Sequence, residues 1–302
     1  MSRIKIASRR ATSTTGTVHI TLPDDYSALF TEADGVIREL TRPFTRTTQA
    51  YELLIADLTV DAHWNMANYA TVMKLNYNDH GPIHARVTCA YAMQMMTLLV
   101  PAGVAWDVIE SGSGDLDDAF LVVLTGILLH DIGNALHRTN HEAMGVILAE
   151  RVLQRVLPQI YADIEQRTLI SDFISSAIQC HDMKPAPLFM ECALVAVADG
   201  CDMTKGRART PFDLGKLDIH AVSALSIEDV NIKPGRMLPV EIEVLMSNSA
   251  GIFQVEQTLV SKLIQTRLKS HVTVRAMTVN PGGQDKRIID VLELIDGRLT
   301  PV

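Results

Sequence analysis

The 302-residue sequence predicts a mainly α protein, a helical bundle followed by a smaller α+β domain at the C-terminal end. Three observations carry that expectation. Hydrophobic residues make up 47% of the chain and aromatic residues only 5%, so the core is built on Leu, Val, Ile, Ala and Met, as in a helix-rich soluble protein. Apolar runs such as 120–129 and 188–201 have helical length and lack the alternation of a half-exposed strand, which reads as helices buried on nearly all sides. Beyond His220 the pattern changes to short strand-like runs around one helical stretch.

Taken in order, Val18, Ile20 and Leu22 alternate with polar residues and predict a strand ending at Pro23, one that could join the C-terminal sheet. Asp24 and Asp25 then open a helix toward Leu40, with acids at the end the helix dipole favours, and Pro43 stops it. Residues 47 to 75 read as one or two helices, with His63 a surface or packing histidine. Pro82 suits the first turn of the next helix, on which His84, Thr88, Tyr91 and Met95 share a face, and which ends near Pro101. Asp115, Asp117 and Asp118 precede the central apolar helix as caps; the glycine and closing glutamate of a calcium loop are missing. Helices follow over 141–156, 161–181 and 188–201. The C-terminal part reads as strands 226–232 and 240–246, a helix over 249–268, and strands 271–279 and 288–295. The expected division is a strand and helix extension over 1–45, the helical domain over 46–218 and the α+β domain over 219–302.

The central apolar run ends in His130-Asp131. Burying a carboxylate costs several kcal/mol unless a partner or a metal compensates. Four further candidates come from separate segments: His84, His141, His181 and Asp199, each in or beside a helical run. The order H…HD…H…H…D resembles the HD-domain superfamily of metal-dependent phosphohydrolases, over roughly residues 46 to 218. The tail Ala198-Asp199-Gly-Cys-Asp202-Met-Thr-Lys205-Gly-Arg207-Ala-Arg209 is similar to the corresponding segment of the HD-GYP branch, although the GYP signature itself is absent and Asn134 stands where that branch often has Lys.

The resemblance implies a helical bundle holding His84, His130, Asp131, His141, His181 and Asp199 around divalent transition ions. Asp131 would bridge two of them, with His84, His130 and Asp199 on one and His141 and His181 on the other. Mixed imidazole and carboxylate ligands suit Mn, Fe, Co, Ni or Zn better than Mg or Ca. A one-ion version needs only His84, His130, Asp131 and Asp199. The implied reaction is cleavage of a small-molecule phosphoester, such as a nucleotide, by a hydroxide held on the metal centre, with Asp131, His137 and Asp202 as catalytic candidates. If residues 137–141 are helical, His137 and His141 lie on one face. Lys205, Arg207 and Arg209, with Arg138, are the phosphate-binding candidates, because a guanidinium fork suits phosphate oxygens. Two other classes stay open: a di-iron oxygenase built on the same six ligands, and a sensor whose C-terminal domain carries the function. That domain is expected to serve self-association, in a homodimer, or regulation rather than catalysis.

A net charge of −8 argues against general nucleic-acid binding. No apolar stretch reaches the length of a membrane span. Cys89, Cys180, Cys192 and Cys201 form no C-x-x-C pair and read as reduced, buried thiols of a cytoplasmic protein.

Overall fold

The computed structural model describes residues 12–13, 18–19, 24–205, 207, 223–279 and 291–301. It shows a mainly helical protein with a smaller α+β part at its C-terminal end. Strands β1 (Thr12–Ser13) and β2 (Val18–His19) pair with each other in a two-stranded ribbon and, among the described residues, do not join the larger sheet. Helix α1 (Asp24–Thr41) packs its buried Ala33 and Ile37 into the main core, against α4. Helices α2 (Thr45–Ala56) and α3 (Leu58–Asn68) meet at Asp57, whose carboxylate caps α3 by accepting from the backbone N–H groups of Thr59 and Val60. A π-helical turn, Tyr69–Lys74, continues α3. Helix α4 (Pro82–Leu99) starts on Pro82 as the sequence predicts, and short α5 (Asp107–Glu110) leads to the central helix α6 (Leu116–Leu129).

Helix α6 is buried from Asp118 to Leu129, because α2, α4, α8 and α9 surround it. At roughly 1.5–3 kcal/mol for each large aliphatic side chain taken out of water, this run anchors the bundle. The acids ahead of it act as caps. Asp115 and Asp118 form a capping box on α6, while Asp117 accepts from the backbone N–H groups of Arg46 and Thr47, both at 2.9 Å, and so caps α2 as well. At the other end the Trp64 indole N–H donates to the Leu128 carbonyl at 2.8 Å and ties α3 to the last turn of α6.

Helices α7 (His141–Val156), α8 (Ile164–Cys180) and α9 (Met190–Cys201) complete the bundle. All four cysteines are free and buried. No helix among the described residues is long and apolar enough to cross a membrane.

The C-terminal sheet has five strands in the order β3 (Ile227–Pro234), β4 (Val240–Met246), β5 (Val272–Thr278), β6 (Val291–Ile295) and β7 (Arg298–Pro301). Only β4 and β5 run parallel, in the register Val240 with Val272, as the helical crossover between them requires. The sequence reading expects four strands. The fifth follows a two-residue Asp296-Gly297 turn with φ of 47° and 75°, a hairpin signature that reading overlooks. The crossover, α10, covers residues 252–264: Ile252–Gln254, a π-helical stretch Val255–Val260, and Ser261–Ile264. It packs on α9, and β3 packs on α4, so sheet and bundle share one continuous core. Gly200 permits the approach of α10, since a Cβ there would lie 2.6 Å from the Thr258 carbonyl oxygen.

Candidate metal centre

Each of the six predicted side chains sits where an apolar helix begins or ends. His84 is in the first turn of α4, and His130 follows the last residue of α6. The chain then leaves the α-helix, with Asp131 capping a 3₁₀ turn, Ile132–Ala135. His141 opens α7, His181 caps the end of α8, and Asp199 lies in the last turn of α9. The bundle brings these ends to one point. The four imidazoles are 0–2% exposed and Asp131 is 5% exposed.

The donor atoms fall into two sets that share one carboxylate. In the first, His84 Nε2 lies 3.2 Å from His130 Nε2, 3.3 Å from Asp131 Oδ2 and 3.2 Å from Asp199 Oδ1. His130 Nε2 lies 3.2 Å and 3.5 Å from the same two oxygens. A tetrahedral ion with bonds of about 2.0–2.1 Å sets its ligand atoms about 3.3–3.4 Å apart, so this spacing fits one. In the second set, His141 Nε2 is 3.1 Å from His181 Nε2, and Asp131 Oδ1 is 3.3 Å and 3.8 Å from them.

Every imidazole is held from behind. The Nδ1–H groups of His130, His141 and His181 donate to the carbonyl oxygens of Ile127, Arg138 and Ile178 at 2.6, 3.1 and 2.7 Å. That of His84 donates to Asp202 at 2.7 Å. All four Nε2 atoms therefore turn inward, the arrangement that orients metal-bound histidines. The site draws positive charge. Burial and Arg207 push the His84 imidazole down, but Asp131, Asp199 and Asp202 overcome both and raise it to about 10. Burial likewise opposes a charge on His130, yet Asp131 and Asp199 raise it to about 9. Burial and the charge on His130 push His181 down. Burial pushes both carboxylates up, but His130 holds Asp131 well below the usual range and Lys262 does the same for Asp199. The donor set thus consists of clusters able to bind metal, and it fits a transition ion by chemistry and spacing alike.

The chain is 38% identical over 226 residues to "Uncharacterized protein MJ1020" of Methanocaldococcus jannaschii, a match covering 75% of this chain and 87% of that protein. The chain belongs to the family of MJ1020. No protein-family model and no solved structure matches it.

For this member of the MJ1020 family, the remaining sequence candidates divide. A cavity of about 220 Å³ opens beside the centre, and Arg138, Arg207 and Asp202 line it. Asp202 stands behind His84, accepting from its Nδ1–H, and also lines the cavity. Arg207 donates to the Asp79 and Asp202 carbonyl oxygens at 2.9 and 2.7 Å and reaches His84 Nε2 at 3.3 Å. Arg138 Nη1 lies 3.0 Å from His141 Nε2, a contact that an ion held by His141 would have to replace. His137 does not reach the site. Asn140 takes a left-handed conformation, φ 59°, which separates residues 136–139 from α7 and undoes the shared helical face. The His137 ring is exposed and its Nδ1 accepts from the Thr139 backbone N–H at 2.9 Å. Lys205 is drawn off by an ion pair with Glu228. Arg209 lies outside the described residues, as do His220 and the Pro281 turn.

Sequence reasoning missed three groups. Lys262 of α10 is buried, donates to Asp199 Oδ2 at 2.6 Å and to the His181 carbonyl at 3.0 Å, and lines the cavity. The C-terminal part therefore helps to build the centre, contrary to the expectation that it stands apart from catalysis. His80, four residues ahead of His84, is buried in the cavity wall. Its Nδ1–H donates to the Asn78 carbonyl at 2.6 Å, and burial outweighs the pull of Asp131 to hold it well below its usual pKa. Gln254, Gln257 and Thr258 supply the α10 side of the cavity.

Proposed function

We propose that the chain is an HD-domain phosphohydrolase that cleaves a small-molecule phosphoester with two divalent transition ions. The observation that carries this reading is the division of six donors, five of them buried and Asp199 partly so, into two sets joined by the two oxygens of Asp131, beside a cavity edged by Arg138, Arg207 and Lys262. His84, His130, Asp131 and Asp199 would hold one ion, and Asp131, His141 and His181 the other. When bound, such ions supply a water that ionises near neutral pH and Lewis acidity toward the phosphoryl oxygens.

The chain's own groups do the rest. Arg207 and Arg138 bind the non-bridging oxygens of the phosphoryl group, whose charge in the transition state their planar forks match. Lys262 fixes Asp199 and the end of α8 in place. The neutral ring of His80 lines the cavity and, with its Nδ1–H given to the Asn78 carbonyl, keeps Nε2 as a hydrogen-bond acceptor for the bound ester or water. The two arginines at the cavity favour a hydrolase over an oxygenase, since they suit the non-bridging oxygens of a phosphoryl group.

The test is a panel of phosphoesters offered to manganese-loaded protein, run beside Arg207→Ala. The variant is expected to lower kcat/KM by about 10²-fold, chiefly through KM, while metal content stays at the wild-type level. Unchanged kinetics would remove Arg207 from the site.

A further inference from the structure

We infer that the cavity takes a compact phosphoester whose remaining part is a hydroxylated carbon chain or ring, and that Gln254 reads those hydroxyls; this rests on the phosphohydrolase reading. The cavity, about 220 Å³, is smaller than the roughly 300–1,000 Å³ of pockets for drug-sized ligands. Of the fourteen described lining residues, all but Gly200 carry a polar side chain. The centre and the two arginines account for one side. On the other side α10 presents Gln254, Gln257 and Thr258 beside Lys262. These amides and hydroxyl both donate and accept, and so does a sugar or polyol hydroxyl.

Gln254 singles itself out. The residue is 7% exposed, and its backbone is already served: its N–H donates to Ser223 Oγ at 2.8 Å and its carbonyl accepts from Thr258 at 2.7 Å. Among the described residues, no group engages its side-chain amide. The amide fronts the cavity, so its donor and its acceptor are both available to a group that arrives there. Its placement is firm at both ends. The π-helical stretch Val255–Val260, whose i→i+5 bonding shifts the helix face, starts right after Gln254, and π-helical turns recur at functional sites. Eight residues on, Lys262 ties the same helix to Asp199 and His181, while Gly200 lets α10 lie against α9. The amide is thereby fixed relative to the point where a phosphoryl group would sit.

The experiment is calorimetric titration of full-length, manganese-loaded protein with four probes: inorganic phosphate, glycerol phosphate, a hexose monophosphate and adenosine monophosphate. Wild type, Gln254→Met and Gln254→Ala are compared, and phosphate release from the three esters is followed in parallel. The hexose or glycerol ester is expected to bind more tightly than inorganic phosphate and than adenosine monophosphate. Both variants should weaken that ester about tenfold more than they weaken inorganic phosphate, as loss of one hydrogen-bonding partner would. Equal weakening of the ester and inorganic phosphate, or tightest binding of adenosine monophosphate, would overturn the inference. Gln254-dependent binding of the hydroxylated ester with no phosphate released from any ester would support the inference and count against the hydrolase.

Discussion

Asp131→Ala is expected to strip both ions from the protein at once and to lower phosphoester turnover by on the order of 10³-fold or more. The reason is that one carboxylate serves two donor sets. Its Oδ2 lies 3.3 Å from His84 Nε2 and 3.2 Å from His130 Nε2, and its Oδ1 lies 3.3 Å from His141 Nε2. Removing it leaves His141 and His181 with no carboxylate between them and cuts the first set to three donors, His84, His130 and Asp199. By contrast, His181→Ala removes a donor from the second set alone and should leave about one ion per chain. Metal content after dialysis, read by mass spectrometry, separates the two. An Asp131→Ala protein that kept its full metal complement would show that the carboxylate is structural.

Gly133→Ala should be among the most destabilising single substitutions in the chain, by about 3 kcal/mol or more. A Cβ on residue 133 would lie 1.9 Å from the His141 carbonyl oxygen and 2.4 Å from the Gly145 backbone nitrogen. Both contacts are backbone, so no side chain can swing away. The first turn of α7 must move, and His141 moves with it. Urea unfolding should show a lower midpoint for this variant, and any protein that folds should carry less metal than wild type. An unchanged midpoint would mean that the 3₁₀ turn after Asp131 does not lie against α7 as described.

How much of this was legible beforehand follows from what each element depends on. The capping aspartates, the Pro82 helix start and the buried central helix are local features, and the sequence carries them residue by residue. The six histidines and aspartates were legible as a set through their resemblance to the HD-domain order, each in or beside a helical run. Lys262 and Gln254 carry no such mark. They sit on an amphipathic stretch where a lysine and a glutamine read as a solvated face, and the π-helical shift obscures the period that would group them. Their role arises only from the packing of α10 on α9. His137 failed for the opposite reason: a four-residue spacing suggests a helical face, and one left-handed asparagine cancels it. The ion pair of Lys205 was not legible because its partner, Glu228, comes from a strand that the motif does not include.

The central claim is that the centre hydrolyses a phosphoester without redox chemistry. It is tested most directly by measuring phosphate release from manganese-loaded protein under strict exclusion of oxygen. Turnover is expected to continue anaerobically, to stop on chelation and to return when manganese is restored. Turnover that requires both iron and oxygen, with every phosphoester bond left intact, would contradict it.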